Sequence, residues 1–339
     1  MTSLIDHPDL SLIPPSLRVY GWNAGAGGTF WYRIAEPLRG LQLRGHHVAS
    51  GAQLSDATLD EFDTILVHML HEQPASEAWE KIARRNRHRL VIDVDDDVWN
   101  FDSRTDTHRY WTDERLRQLQ TNIAMADIVT TPSDYLADIL TELNPNVVVL
   151  PNCVPEWLLT YEPVRPRQRF VMGYQGARQH TVDVQTIGQD VWQILHRHRN
   201  ARVRLWGELD PLGWPAGRVI RTPWNTDIPS YYRSLTMTIG LGPLADIPFN
   251  YAKSSIRAIE YAALGFPCIL TNVPAYRPYV AHQSTGFLVP PGEPWFPYLE
   301  WAYNRRDQLA AMGKAARSCA HNWTTEMNAH RWEDAYRGR

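Results

Sequence analysis

Between Phe249 and Pro267 the chain reads "FNYAKSSIRAIEYAALGFP", a lysine, two serines and a glutamate ahead of an alanine-rich segment that stops at Gly-Phe-Pro. Taken as helix, Lys253 and Glu260 stand about two turns and about 10 Å apart and point to nearly the same side. Ser254 or Ser255 suits the N-cap. The first turn then offers unpaired backbone N–H groups, the positive end of the helix dipole and an ammonium group, which is the chemistry of a phosphate seat. Glu260, farther along, is placed to accept hydrogen bonds from hydroxyls. The alternative is an ordinary amphipathic helix with a solvated lysine.

The elements that must position these groups alternate. "LRVYGW" (17–22), "HHVASG", "DTILVHML" (63–70), "LVIDVDDDVW" (90–99), "DIVTTPS" and "VVVLPN" read as strands, with helical segments such as "WYRIAEPLRGLQLRG" between them. Strands separated by helices mark βαβ units and a mainly parallel sheet. A proline-rich stretch, "PNCVPEWLLTYEPVRPRQR" (151–169), interrupts the rhythm, and the alternation restarts with "FVMGYQG" (170–176) and one long helix through "DVQTIGQDVWQILHRH". The expected fold is α/β, with two Rossmann-like domains whose parallel sheets face a central cleft. Residues 1–155 form the first domain, 156–169 the linker and 170–320 the second domain, with a C-terminal helix over 321–339. Ligands of open α/β sheets sit at the carboxyl ends of the strands.

Composition narrows the class. A net charge of −3 on 339 residues argues against general nucleic-acid binding. Cys153, Cys268 and Cys319 are scattered without a C-x-x-C pair, so neither a disulfide framework nor a structural zinc site is expected. The first residues lack a basic n-region and a continuous apolar run, and no segment approaches the length of a membrane span. A cytoplasmic protein is expected.

"IGLGPLADIPFNYAKSSIRAIEYAALGFPCILTNVPAYRPYV" (239–280), continued by "TGFLVPPGEPW", resembles the family-4 retaining glycosyltransferases of the GT-B fold, in the branch with the FN-x-AKS…EYAALG-x-P pattern. "GYQGARQHTVD" (173–183) and "DIVTTPSDYLADIL" followed by "VVVLPNCV" carry the same likeness, which spans nearly the whole chain. Many members hold two glutamates eight positions apart. Glu260 matches the second, whereas the first falls at Ala252. The resemblance implies that Lys253 and the helix N-terminus, with Ser254 and Ser255, bind the diphosphate of a nucleotide-sugar. It implies that Glu260 binds the ribose, and that Lys253 and Asn250 take over part of the missing glutamate's work on the sugar. The C-terminal helix is implied to cross back onto the first domain.

Other groups fall into place around this expectation. Arg178, in "GARQH", follows a strand at the cleft edge, where a fixed positive charge stabilises a departing diphosphate; the alternative is a surface pair with Asp183. His180 caps the next helix or contacts phosphate. "GAGG" (25–28) lacks the spacing and acidic partner of a dinucleotide fingerprint, and the resemblance places Gly27 and Gly28 close to the donor diphosphate. "DVDDDVW" (93–99) puts four carboxylates in five positions. A divalent metal is one reading of it; hydrogen bonding to sugar or acceptor by Asp95, with Asp97 beside it, is the favoured one, and capping of the next turn is the third. Trp224 either stacks on the base or packs in the core. The basic run "KIARRNRHR" (81–89) is a solvated helix face or a contact to an anionic acceptor or the inner membrane face. His68 and His71 are fold or acceptor-side residues.

The sequence therefore predicts transfer of a sugar from a UDP-, GDP- or dTDP-linked donor to a hydroxyl, with retention of configuration and no required cofactor. The catalytic groups are Arg178, Lys253 and Asp95. Polysaccharide, lipid-linked sugar, protein and modified DNA stay open as acceptors. Two alternatives are a catalytically silent sugar-nucleotide-binding protein and an NAD-dependent oxidoreductase built from the same units.

Overall fold

The computed structural model describes residues 15–22, 28–101, 106–209 and 213–339. Its strands form two parallel sheets of six. The first holds β1 (Arg18–Trp22), β2 (His47–Gly51), β3 (Thr64–His68), β4 (Arg89–Asp93), β5 (Ile128–Thr131) and β6 (Val147–Val149), in the order β2-β1-β3-β4-β5-β6. The second holds β7 (Phe170–Gln175), β8 (Ala201–Trp206), β9 (Val219–Thr222), β10 (Ile239–Gly242), β11 (Cys268–Thr271) and β12 (Phe287–Val289), in the order β12-β11-β10-β7-β8-β9. The order reverses between β1 and β3 and again between β7 and β10, the places where such sheets open a crevice beyond the strand ends. "LVIDVDDDVW" leaves the sheet at Asp93, so the later carboxylates belong to the turn.

The strands read as near-continuous apolar runs because both sheet faces are covered. Ile65, Leu66, Val91 and Ile92 in the first sheet, and Met172, Val203 and Leu241 in the second, are fully or almost fully buried. Two helices depart from the expected spans, each for a local reason. Pro37 brings no N–H to the helix after β1, and the turn ahead of it widens to a π-helix, Trp31–Ala35, before the α-helix Glu36–Leu43. The helix expected through 183–198 splits into Thr181–Gln185 and Gly188–Arg197, where the Thr186 hydroxyl donates to the Asp183 carbonyl at 2.6 Å. The helix expected from Ser254 or Ser255 runs over Ile256–Ala263 with Ser255 at the N-cap, and a separate short helix, Pro248–Tyr251, precedes it.

Lys253 lies in the turn between these two helices. The Ala252 carbonyl accepts from the Ser133 hydroxyl at 2.8 Å, and the Ser254 hydroxyl accepts from Asn152 Nδ2 at 2.9 Å. Ser255 stands at the N-cap but makes no side-chain cap. The helix ends as its sequence suggests, with Gly265 at φ +66° allowing the chain to turn into Phe266-Pro267.

After the second sheet the chain returns to the first. Helix Thr325–Arg337 lies against Glu36–Leu43, with Trp332 and Tyr336 buried among Val19, Ile34 and Leu41. Arg39 pairs with Glu326 at 2.7 Å and Arg44 with Glu333 at 2.6 Å. No helix among the described residues is long and apolar enough to cross a membrane.

Candidate active site

A cavity of about 650 Å³ lies where the carboxyl ends of β4, β7, β8, β9 and β10 converge between the sheets. Of the residues singled out in the sequence, Gly28, Asp95, Arg178, His180, Trp224, Lys253, Ser254 and Glu260 line it. Gly27 lies outside the described residues. Asn250 and Ser255 do not line the cavity. Asn250 is buried behind it, donating through Nδ2 to Asp183 Oδ1 at 2.6 Å and to the Ala245 carbonyl at 3.0 Å. Ser255 is 95% shielded from solvent at the foot of the helix.

The four carboxylates at the end of β4 and in the turn after it have four different partners, which separates their roles. Asp93, buried, accepts a bidentate pair from Arg33 at 2.9 and 2.7 Å, and Arg33 also holds the Asn152 side chain at 2.8 Å. Asp95 meets His68 Nε2 at 2.8 Å and Asp96 meets Lys253 Nζ at 2.6 Å. Asp97 turns away from the cavity and accepts from Asn100 at 2.8 Å, capping the turn. Among the described residues no group of three or more His, Cys, Asp or Glu is disposed to hold a metal ion.

Charge is tuned by these contacts. Burial disfavours the imidazolium of His68, but the Asp95 carboxylate outweighs it and raises the histidine above its ordinary pKa. Burial likewise opposes ionisation of Asp95, yet His68, Arg33 and Lys253 together hold its carboxyl below the usual range. His180 shows the opposite balance: burial lowers its pKa although Asp183 faces Nδ1 at 2.8 Å. A carboxylate only accepts here, so Nδ1 carries the proton. Asp183 is thereby committed to His180, Asn250 and the Ala245 amide, and Arg178 pairs instead with Glu208 at 3.8 Å.

Glu260 lies at the floor, 4% exposed. Gln175 Nε2 and the Tyr231 hydroxyl each donate to it at 3.3 Å, and the Tyr32 hydroxyl donates from the first sheet's side. Tyr32 sits on the π-turn, so the widened helix delivers it across the cleft, and the Tyr232 hydroxyl stands 2.8 Å from it. Burial raises the pKa of Glu260 despite these donors.

Three cations line the same cavity: Arg178, Lys253 and Arg257. Sequence reading overlooked Arg257. Its position three residues before Glu260 on one helix was the available signal. Its Nη2 donates to the Gln175 carbonyl at 2.9 Å, and its Nε finds no hydrogen-bond partner among the described residues. Trp224, 42% exposed, leans on Tyr231 with ring centroids 5.2 Å apart, and a Cβ on Gly28 would stand 3.3 Å from its ring. It therefore forms a wall of the cavity and no part of the core. Ala252 packs into the first sheet's core beside Phe249, away from the cavity. The basic run 81–89 ends at Arg89, at the amino end of β4 and so opposite the strand ends that border the cavity; Arg84 pairs with Glu80, and Arg89 donates to the Tyr336 carbonyl.

Two Rossmann-like parallel sheets enclosing a cleft at their carboxyl ends constitute the GT-B fold. Solved structures with this architecture superpose on nearly the whole chain. A sucrose-phosphate synthase from Thermosynechococcus elongatus shares 15% identity over 95% of this chain and 98% of its own, with a TM-score of 0.69. Anabaena HepE in complex with UDP shares 14% over 96% and 100%, with a TM-score of 0.64. A glycosyltransferase from Rickettsia africae ESF-5 shares 11% over 95% and 98%, with a TM-score of 0.62. At such identities the likeness carries the fold. No protein-family model and no curated protein matches the sequence.

Proposed function

We propose that the chain is a retaining glycosyltransferase of the family-4 type that moves a hexosyl or related glycosyl group from a nucleotide-diphospho-sugar to a hydroxyl. One observation carries this reading: three cations, a helix N-terminus and a buried carboxylate line one cavity, the two kinds of group a nucleoside diphosphate requires. Lys253, Arg178 and Arg257 with the N-terminus of Ile256–Ala263 hold the diphosphate. Glu260 accepts from the ribose hydroxyls, and Trp224 offers a face to the base. HepE has been solved with UDP and with UDP-glucose, which supports a donor of this class. Residues 170–320 bind the donor and 1–155 the acceptor, joined by 156–169 and by the returning helix of 321–339.

The chemistry follows from the charge distribution. The bond from C1 of the sugar to the phosphate oxygen breaks as the diphosphate leaves towards the three cations. The acceptor oxygen bonds C1 on the same face, and its proton passes to a phosphate oxygen. Asp95, ionised and braced by His68, orients a hydroxyl at this centre, and Asp96 supplies the carboxylate that Ala252 lacks. The cations supply the charge the leaving group requires, so no metal is needed. Three free thiols, Cys153, Cys268 and Cys319, suit the cytoplasm.

The test is a thermal-shift panel of UDP, GDP, dTDP, ADP and NAD⁺ with wild type and Lys253→Ala. A ligand at 100 times its Kd adds about 2.7 kcal/mol of stability. One nucleoside diphosphate should stabilise the wild type and lose its effect in the variant. A response to NAD⁺ alone would sink the proposal. Product formed from the matching α-linked donor should show an α-anomeric proton by NMR; a β-linked product would exclude retention.

A further inference from the structure

A second cavity, of about 520 Å³, adjoins the first and shares Thr29, Asp95, Asp96 and Gln179 with it. Its wall differs in kind. The first cavity holds the three cations. Among the described residues the lining of the second carries Glu72, Asp95 and Asp96 and no lysine or arginine, with the aromatic side chains of Trp22, Phe101, Tyr110 and Trp111 beside apolar Ile34, Leu70 and Val98. The geometry points to the second cavity as a site for an uncharged glycan, stacked on Tyr110 and Trp111 with one hydroxyl directed at Asp95. This rests on the donor reading of the first cavity and names the acceptor class that reading leaves open.

The aromatic edge is built and braced. The Tyr110 hydroxyl is held between His71 Nε2 at 2.8 Å and Glu72 Oε1 at 3.0 Å, and the Arg115 guanidinium covers the Tyr110 ring 4.0 Å from its centroid. Trp111 tilts over His71 with centroids 4.4 Å apart. His71 is itself fixed through Nδ1 to the Met69 carbonyl at 2.5 Å, and Met69 has φ +49°, a conformation a non-glycine residue holds at a cost, at the carboxyl end of β3. Strain of that kind is retained where a side chain must be aimed, and here it aims His71 at the edge.

Sugar recognition matches this surface. The C–H face of a pyranose is apolar and weakly positive and meets the negative face of an aromatic ring. Its rim of hydroxyls donates to carboxylates, so Glu72 and Asp95 suit hydroxyls. Among the described residues the cations beside the carboxylates of this cavity are already matched, Arg115 to Glu72 at 3.7 Å and Lys253 to Asp96 at 2.6 Å, so a phosphate or uronate in the same place would find no surplus positive charge. Asp95 borders both cavities, so a hydroxyl bound to it in the second stands at the opening to the first, where the donor sugar is transferred.

The experiment reads sugar binding without turnover. Saturation-transfer NMR is run on the full chain with maltotriose, cellotriose and chitotriose, and with trigalacturonate as the anionic counterpart, while the nucleotide thermal shift is recorded on the same samples. At least one neutral trisaccharide should receive saturation, trigalacturonate should bind at least about tenfold more weakly, and Trp111→Ala should weaken the neutral sugar by about tenfold with the nucleotide shift unchanged. Trp111→Phe, which keeps a ring at this half-buried position, should restore most of the binding. Trigalacturonate binding as well as or better than the neutral sugars, no transfer to any of the three, or transfer that survives Trp111→Ala overturns the inference. Loss of the nucleotide response with sugar binding intact counts against the donor reading alone.

Discussion

Glu260 holds a costly position: a carboxyl with three donors aimed at it, yet buried deeply enough that its pKa is raised. The stability it contributes is complete below its unfolded value of 4.5 and is lost as the pH rises through the higher folded value. Glu260→Gln should therefore raise the thermal midpoint at pH 7.5, by about 0.5–2 kcal/mol in stability, with the gain gone near pH 4, while the nucleotide-induced shift disappears. A variant less stable at both pH values would show that the three hydrogen bonds outweigh burial. The two cavity histidines are expected to part company. His68, raised by Asp95, contributes stability that is present below 6.5 and lost as the pH rises through its folded value. His180, lowered by burial, contributes stability that is present above 6.5 and lost as the pH falls through its folded value. Histidine-resolved NMR titration should place them on opposite sides of 6.5; both on one side would refute the assigned surroundings. Lys253, Arg178 and Asp95 were legible from the sequence because each sits beside a strand end or helix start, and Glu260 because of its seven-residue spacing from Lys253. Tyr32 and Arg257 were not, since the first reaches the cavity only through a π-turn and the second resembles a solvated helix position.

At the scale of elements, the strands were legible because double-sided burial writes uninterrupted apolar runs. The helices were less so, because a side-chain hydrogen bond at Thr186 breaks one and the turn ahead of Pro37 widens another where helical periodicity continues. One glycine shows how an element serves the site. A Cβ at Gly240, on β10, would stand 2.6 Å from the Tyr261 ring. Tyr261 lies against the bare strand, and its hydroxyl stands 2.7 Å from Gln175 Oε1, which leaves Gln175 Nε2 directed at Glu260. Gly240→Ala should cost about 1–3 kcal/mol by overpacking and should weaken nucleotide binding, both read from the same thermal-shift series. Gly188→Ala is the matched control: nothing lies within 4 Å of its Cβ position, so stability should hold or rise by about 0.4–1 kcal/mol. Equal losses in the two variants would mean that the space over β10 is not what matters.

The whole molecule is held together around the cavity, at the far side, and where Phe249 and Ala252 pack into the first sheet's core. Around the cavity, Tyr32 reaches Glu260, Asp96 reaches Lys253 and Asn152 reaches Ser254, each contact joining a residue of the first half to one of the second. At the far side, helix Thr325–Arg337 follows the second sheet in sequence but packs on the first. Its buried positions, Ala329, Trp332, Ala335 and Tyr336, trace one helical face that the sequence displays, while the surface receiving that face is long-range information no local pattern carries. Trp332 is 1% exposed, so Trp332→Ala should remove about 3–5 kcal/mol from whatever unit the helix belongs to. If that unit is the first sheet, hydrogen exchange resolved by peptide will show protection falling in 36–51 and 325–337, while 170–206 and 239–271 keep theirs. The nucleotide, bound mainly by the second sheet's loops, should still stabilise the variant. Protection lost evenly across both sheets would instead mean that the contacts around the cavity couple the halves into one cooperative unit, with the returning helix only one of several ties.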